Sequence, residues 1–168
     1  MAKKAYSKWP LGQCPGLATA LPEVMAALTI VRDRYGPPGR YLKLADVPRP
    51  RLHPEDGGRV LVAVLATGPN FNTNFASLGL PVPVFGRGDG STIHIPGSDA
   101  LGIVVDAGAA VKTLKVGQAV ILDSWTGRNI IRGYETHDGF NAQFAVVDED
   151  RAIPVSGELK SHSPERLA

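Results

Sequence analysis

Apolar residues in this chain fall in short continuous runs broken by glycine and proline, with no sustained helical period. The clearest run, Arg59-Val60-Leu61-Val62-Ala63-Val64-Leu65-Ala66, has glycines on both sides. Its β-branched content and lack of polar alternation predict a strand running through the core. Ala100-Leu101-Gly102-Ile103-Val104-Val105-Asp106 predicts a second strand, ended by Ala107-Gly108, and residues 118–122 and 143–147 predict two more. Ala26-Ala27-Leu28-Thr29-Ile30-Val31 could close a helix. Its β-branched residues and the following Tyr35-Gly36-Pro37-Pro38-Gly39 breaker favour a strand entering a turn, with residues 41–44 returning beside it. Val47-Pro48-Arg49-Pro50 reads as an extended connector, because each proline drives the residue before it out of the helical region.

The remaining segments are rich in turn chemistry. Residues 1–20 lack any period and read as an irregular leader that packs over the domain. The stretch from Pro69 to Gly90 is dense in Asn, Gly and Pro, with a brief helix expected around residues 74–77, and marks a long loop of the kind that carries function. Nineteen glycines and fourteen prolines in 168 residues are about a fifth of the chain, against roughly 12% in average usage. That excess argues against a helical bundle, and the short spacing of the strands predicts a barrel or sandwich.

Composition narrows the function classes. With 43% hydrophobic and 20% charged residues the chain can bury a core as one domain. The net charge is +2 and scattered, so nucleic acid is not an expected partner. There is no run of about 18 apolar residues and no apolar signal segment behind the Met1-Ala2-Lys3-Lys4 start, so neither a membrane span nor secretion is expected. The sole cysteine, Cys14, supports no internal disulfide or thiolate cluster and has no nearby His, which reads as an inert thiol in a reducing, cytoplasmic setting.

Several motifs are weaker than they look. Gly86-Arg87-Gly88-Asp89-Gly90 lacks the strand, the helix and the Lys-Ser/Thr pair of a phosphate cradle. No strand, G-x-G-x-x-G turn and helix occur in order, so the chain alone is expected to bind no dinucleotide. His53, His94, His137 and His162 have no ligand spacing, so no metal site is expected. His94, within Ile93-His94-Ile95, reads as a half-buried strand histidine with its nitrogens satisfied. Asn70 reads as a turn residue, and Asp99, beside Ser98, as a backbone cap.

Four segments in order carry a family resemblance. They are Pro69-Asn70-Phe71-Asn72-Thr73, similar to V-N-Y-N-T; Ile95-Pro96-Gly97-Ser98-Asp99-Ala100-Leu101-Gly102-Ile103-Val104, similar to I-G-S-D-L-A-G-V-V; Val116-Gly117-Gln118-Ala119-Val120, similar to a G-D-E-V turn; and Gly133-Tyr134-Glu135-Thr136, similar to G-F-E-T. From about Leu21 onward the chain resembles the N-terminal, GroES-like domain of the medium-chain dehydrogenase/reductases, and within them the crotonyl-CoA carboxylase/reductase group. The resemblance implies a mainly β, partly open GroES-like barrel with a few short helices over residues 21–168. It also implies the substrate-binding domain of a zinc-independent enoyl-thioester reductase, cut before its NADPH domain and not redox-competent alone. Zinc-dependent relatives place Cys, His and Glu where this chain has Asn70 to Asn74 and Gly97-Ser98-Asp99.

By the same resemblance, Asn72, Tyr134 and Glu135 are the candidate catalytic residues. In carboxylating members the corresponding asparagine, phenylalanine and glutamate, with a histidine from the other half, surround carbon dioxide beside the enolate. An amide can bond a developing carboxylate, and a glutamate can organise water. Tyr134 stands where the family has phenylalanine. No cofactor is expected on this chain alone, with NADPH implied by the family. The expected partners are an acyl or enoyl thioester or polyketide-like molecule, a nucleotide-binding partner chain, and a second copy of the chain covering an exposed edge or face. Two other readings stay open: a stand-alone barrel acting as a non-redox cyclase or isomerase, and a non-catalytic interaction module.

Overall fold

The computed structural model describes residues 9–86, 89–126 and 130–156. The first eight residues of the leader, residues 87–88 of the glycine-rich loop and residues 157–168 lie outside them. In chain order the elements are β1 (Val24–Val31), α1 (Pro38–Tyr41), β2 (Lys43–Pro48), β3 (Arg59–Gly68), α2 (Phe71–Leu78), β4 (Ile93–His94), β5 (Asp99–Ala107), β6 (Ala119–Leu122), β7 (Trp125–Thr126), β8 (Ile130–Ile131), β9 (Phe144–Asp148), a 3₁₀ turn (Glu149–Arg151) and β10 (Ala152–Pro154).

The main sheet has the order β10-β6-β5-β3-β9, and each neighbouring pair is antiparallel. β3 is an interior strand, between β5 and β9, as its apolar sequence predicts. The β3–β5 register shifts between Leu61 and Val62 and again between Val64 and Ala66. Such irregularities bend strands and increase their twist, and the sheet curls into the partly open barrel expected. A second sheet, β2-β1-β4, lies beside it, and β7 pairs with β8.

The continuous apolar reading of β3 has a direct cause, because both faces of the sheet are covered. Val60, Val62 and Val64 join one buried cluster with Val104, Val120 and Phe140. Leu61 and Ala63 face the other way, into a cluster with Met25, Val47, Phe144 and Trp9. Trp9 ties the leader down: its indole N–H donates to the Ala20 carbonyl at 3.2 Å, and its carbonyl accepts from Gln143. Residues 9–20 form no helix or strand.

Three boundaries differ from the sequence reading. Val47 and Pro48 belong to β2 rather than to a connector, and Pro48 ends that strand, where a missing N–H is tolerated. A short helix, α1, fills the turn before β2. Helix α2 begins three residues earlier than the brief segment expected, because Asn70 caps it. A small third core, made by Ile30, Ala76 and Phe85 with Tyr35, Leu42, Val84 and Tyr134, fixes α2 to the barrel.

Candidate functional site

The start of α2 meets the Gly97–Asp99 segment. Asn70 has extended backbone, and its Oδ1 accepts from the Thr73 N–H at 3.3 Å, satisfying one of the otherwise unpaired donors of the first turn. Its Nδ2 donates to Ser98 Oγ at 2.5 Å and to the Asp99 carboxylate. Asn70 is thus structural, as expected, and it also clamps the helix to the Gly97–Asp99 segment. Asp99 accepts side-chain donors instead of capping a backbone, because it opens β5 paired with Gly68. Asn72 sits half-buried on the first turn of α2.

The second junction is a contact between glycines. Gly133 holds φ +73°, and a side chain there would begin 2.2 Å from the Gly97 carbonyl oxygen. Gly97 itself holds φ +106°, and its carbonyl accepts from the Phe140 N–H at 2.9 Å. The segment carrying Ser98 therefore lies directly against the turn that carries Tyr134 and Glu135.

Tyr134 reaches the far end of the helix. Its hydroxyl donates to the Leu80 carbonyl at 2.9 Å, just beyond α2, and its ring packs on the third core. Glu135 is exposed and closes its own turn: its N–H donates to the Ile131 carbonyl at 2.8 Å, and its Oε2 accepts from the Ile131 N–H at 2.7 Å. The eight residues of α2 rise about 12 Å. Asn72 and the Tyr134 hydroxyl thus belong to opposite ends of one short helix, joined through the Asn70–Ser98 and Gly97–Gly133 contacts.

Sequence reasoning missed the cluster beneath this turn. His94 is fully buried rather than half-buried, and both its nitrogens are engaged, Nε2 with the Gly133 carbonyl at 3.0 Å and Nδ1 with His137 Nδ1 at 2.9 Å. Burial, the largest cause, lowers its pKa to about 4. His137 Nε2 lies 2.7 Å from Asp89 Oδ2. The Ser91 N–H and hydroxyl, and then His137, hold the Asp89 carboxyl well below the usual carboxylate range. Arg32 pairs with Asp89 at 3.3 Å and lies over Phe85, which stacks on His137 with centroids 5.2 Å apart. His94 and His137 are 43 residues apart, so no spacing rule reveals the pair.

A cleft of about 620 Å³ lies elsewhere among the described residues. Arg49, Arg59, Arg132, Asp138 and Phe144 are among the residues lining it, and Asn72, Tyr134 and Glu135 are not. Arg132 is buried there, with its pKa lowered by burial and opposed by Asp138, its ion-pair partner at 3.0 Å. A dinucleotide needs a parallel strand, a glycine turn and a helix. Among the described residues the named strand pairs are all antiparallel and the helices span four and eight residues, so they do not fit NADPH. No group of three or more His, Cys, Asp and Glu among the described residues is placed to hold a metal ion. No helix among them is long and apolar enough to cross a membrane.

A curled antiparallel half-barrel with α2 and two glycine-bearing turns gathered at one junction defines a GroES-like domain. Residues 56–157 match the alcohol dehydrogenase GroES-like domain, and the chain belongs to that family. It is 36% identical over 161 residues to the crotonyl-CoA carboxylase/reductase of Cereibacter sphaeroides, the match covering 86% of this chain and 36% of the relative. It is 30% identical over 179 residues to the crotonyl-CoA reductase of Streptomyces avermitilis, covering 84% of this chain and 40% of that protein. Among solved structures, the crotonyl-CoA carboxylase/reductase AntE in complex with NADP superposes with a TM-score of 0.74 at 36% identity, over 88% of this chain and 40% of AntE. The chain thus spans about two fifths of these relatives' length.

Proposed function

We propose that this domain is the acyl-thioester-facing part of a zinc-independent enoyl-thioester reductase of the crotonyl-CoA reductase type. The reducing nucleotide, NADPH, is held by a separate nucleotide-binding domain, in the same polypeptide or on a partner chain. The observation that carries this reading is the convergence of the P-N-F-N-T, G-S-D and G-Y-E-T segments, each on a contact described above.

Beside that junction α2 and the residues after it present Phe71, Phe75, Leu78, Leu80 and Val82 to solvent, a surface suited to an acyl chain or to the face of another domain. Asn72, on the first turn, supplies an uncharged amide for a thioester carbonyl that gains negative charge as the double bond is reduced. Tyr134, its hydroxyl turned onto Leu80, contributes its ring as a wall, and Glu135 shapes the turn. Carboxylation is not part of the proposal, because the Glu135 carboxylate is engaged by the Ile131 N–H.

Titration calorimetry of the 168-residue chain with crotonyl-CoA and with NADPH tests the reading. Heat is expected with crotonyl-CoA alone. Tight binding of NADPH with none of crotonyl-CoA overturns it.

A further inference from the structure

The buried histidine pair has a definite hydrogen-bond direction. The Gly133 carbonyl and the ionised Asp89 carboxylate can only accept, so His94 Nε2 and His137 Nε2 each carry a proton. One hydrogen remains between the two Nδ1 atoms. His94 is fully buried and faces a peptide carbonyl, whereas His137 faces a carboxylate, so the hydrogen belongs to His137. His94 is then a neutral ring accepting at Nδ1 from His137.

This chain of groups cannot deliver a proton to the site, because its inner end is a peptide carbonyl. A shared metal does not fit it either. Two zinc ligands with bonds of about 2.1 Å at a tetrahedral angle stand about 3.4 Å apart, and the Nδ1 atoms are separated by 2.9 Å. What the arrangement does is hold. Asp89 is fixed by the Ser91 N–H at 2.7 Å and by Arg32, and Phe85 is packed between Arg32 and His137. Asp138, adjacent to His137, is committed to Arg132.

We propose that His94 is a positioning residue of the acyl-thioester site: backed by His137 and Asp89, its neutral imidazole holds the Gly133 carbonyl and with it the turn presenting Tyr134 and Glu135. The inference rests on the function proposed above for that turn, and it assigns His94, His137 and Asp89 a role without contact with the substrate.

The test combines imidazole ¹⁵N NMR, amide hydrogen exchange and crotonyl-CoA titration on the 168-residue chain. The expected signature is His94 protonated at Nε2 only, with its Nδ1 accepting a hydrogen bond. Asp89→Asn, which removes the carboxylate behind His137, is expected to speed exchange of the amides of residues 133–136 to a smaller extent than loss of His94. His94→Leu is expected to speed exchange of the amides of residues 133–136 about tenfold, with β3, β5 and β9 unchanged, and to weaken crotonyl-CoA binding. His94→Gln, able to donate to Gly133 and accept from His137, is expected to restore both. Should His94→Leu not fold, the ring protonation and the Asp89→Asn response decide the question. A His94 proton on Nδ1, or unchanged loop exchange and affinity in His94→Leu, overturns the proposal. The expected rings and exchange in a chain that binds no crotonyl-CoA overturn the proposed function alone.

Discussion

Gly133 and Gly97 are packed backbone to backbone: a first side-chain carbon on Gly133 would stand 2.2 Å from the Gly97 carbonyl oxygen, and Gly133 already holds φ +73°. Only glycine meets both demands. Gly133→Ala is expected to destabilise the fold by about 2 kcal/mol or more and to displace the Tyr134–Glu135 turn. Urea unfolding measures the loss. A change within about 0.5 kcal/mol of the parent chain would show that the turn adapts freely.

Asn70 joins two segments that sequence places 28 residues apart. Asn70→Ala removes the α2 cap together with the bonds to Ser98 and Asp99, and is expected to cost about 1–2 kcal/mol. Asn70→Ser, which keeps a capping oxygen but is too short to repeat both bonds, is expected to recover part of that. Equal stability of all three chains would contradict the clamp.

The Tyr134 hydroxyl is tied to the Leu80 carbonyl. Tyr134→Phe is expected to lower stability by about 1 kcal/mol and to leave crotonyl-CoA affinity within about twofold. A large loss of affinity with unchanged stability would instead place the hydroxyl on the ligand.

Much of the fold was legible because burial on both sheet faces wrote itself into β3 as an unbroken apolar run, and β1, β5, β6 and β9 followed from similar runs. β7, β8 and β10, two or three residues each, are too short to carry a period. The start of α2 had a readable signal in Asn70, a favoured capping residue, but the Asn, Gly and Pro of the stretch around it read as loop. The candidate residues Asn72, Tyr134 and Glu135 were drawn only from family resemblance. The supporting trio was not legible as a cluster, since Asp89, His94 of β4 and His137 meet only through tertiary packing.

His94 gives the stability a defined pH dependence. Its pKa is about 4 in the folded chain against an ordinary value of 6.5. Between those values the unfolded chain binds more protons, so the share of stability due to neutral His94 is present above about pH 6.5 and is lost as pH falls towards 4. The shift corresponds to an upper limit of about 3 kcal/mol. Asp89, His137, Asp138 and Arg32 also surround the ring, so the readout is a difference: the stability gap between the parent chain and His94→Gln, by urea unfolding, is expected to change by up to about 3 kcal/mol from pH 7 to pH 4.5. A gap independent of pH would contradict a buried neutral ring.

Phe71, at 76% exposure, and Phe75 pack against each other on the outer side of α2, with ring centroids 6.4 Å apart. An apolar pair this open favours association. Light scattering is expected to show concentration-dependent self-association of the 168-residue chain, relieved by Phe71→Ser with Phe75→Ser. A monomer at all concentrations would show that this face is tolerated in water.

The most direct measurement is an amide chemical-shift map of the ¹⁵N-labelled chain titrated with crotonyl-CoA. Shifts gathered at residues 70–73, 97–99 and 133–135 are expected. Shifts confined to the cleft around Arg49, Arg59 and Arg132, or none at all, would contradict the placement of the acyl thioester at the junction of α2 with the two glycine turns.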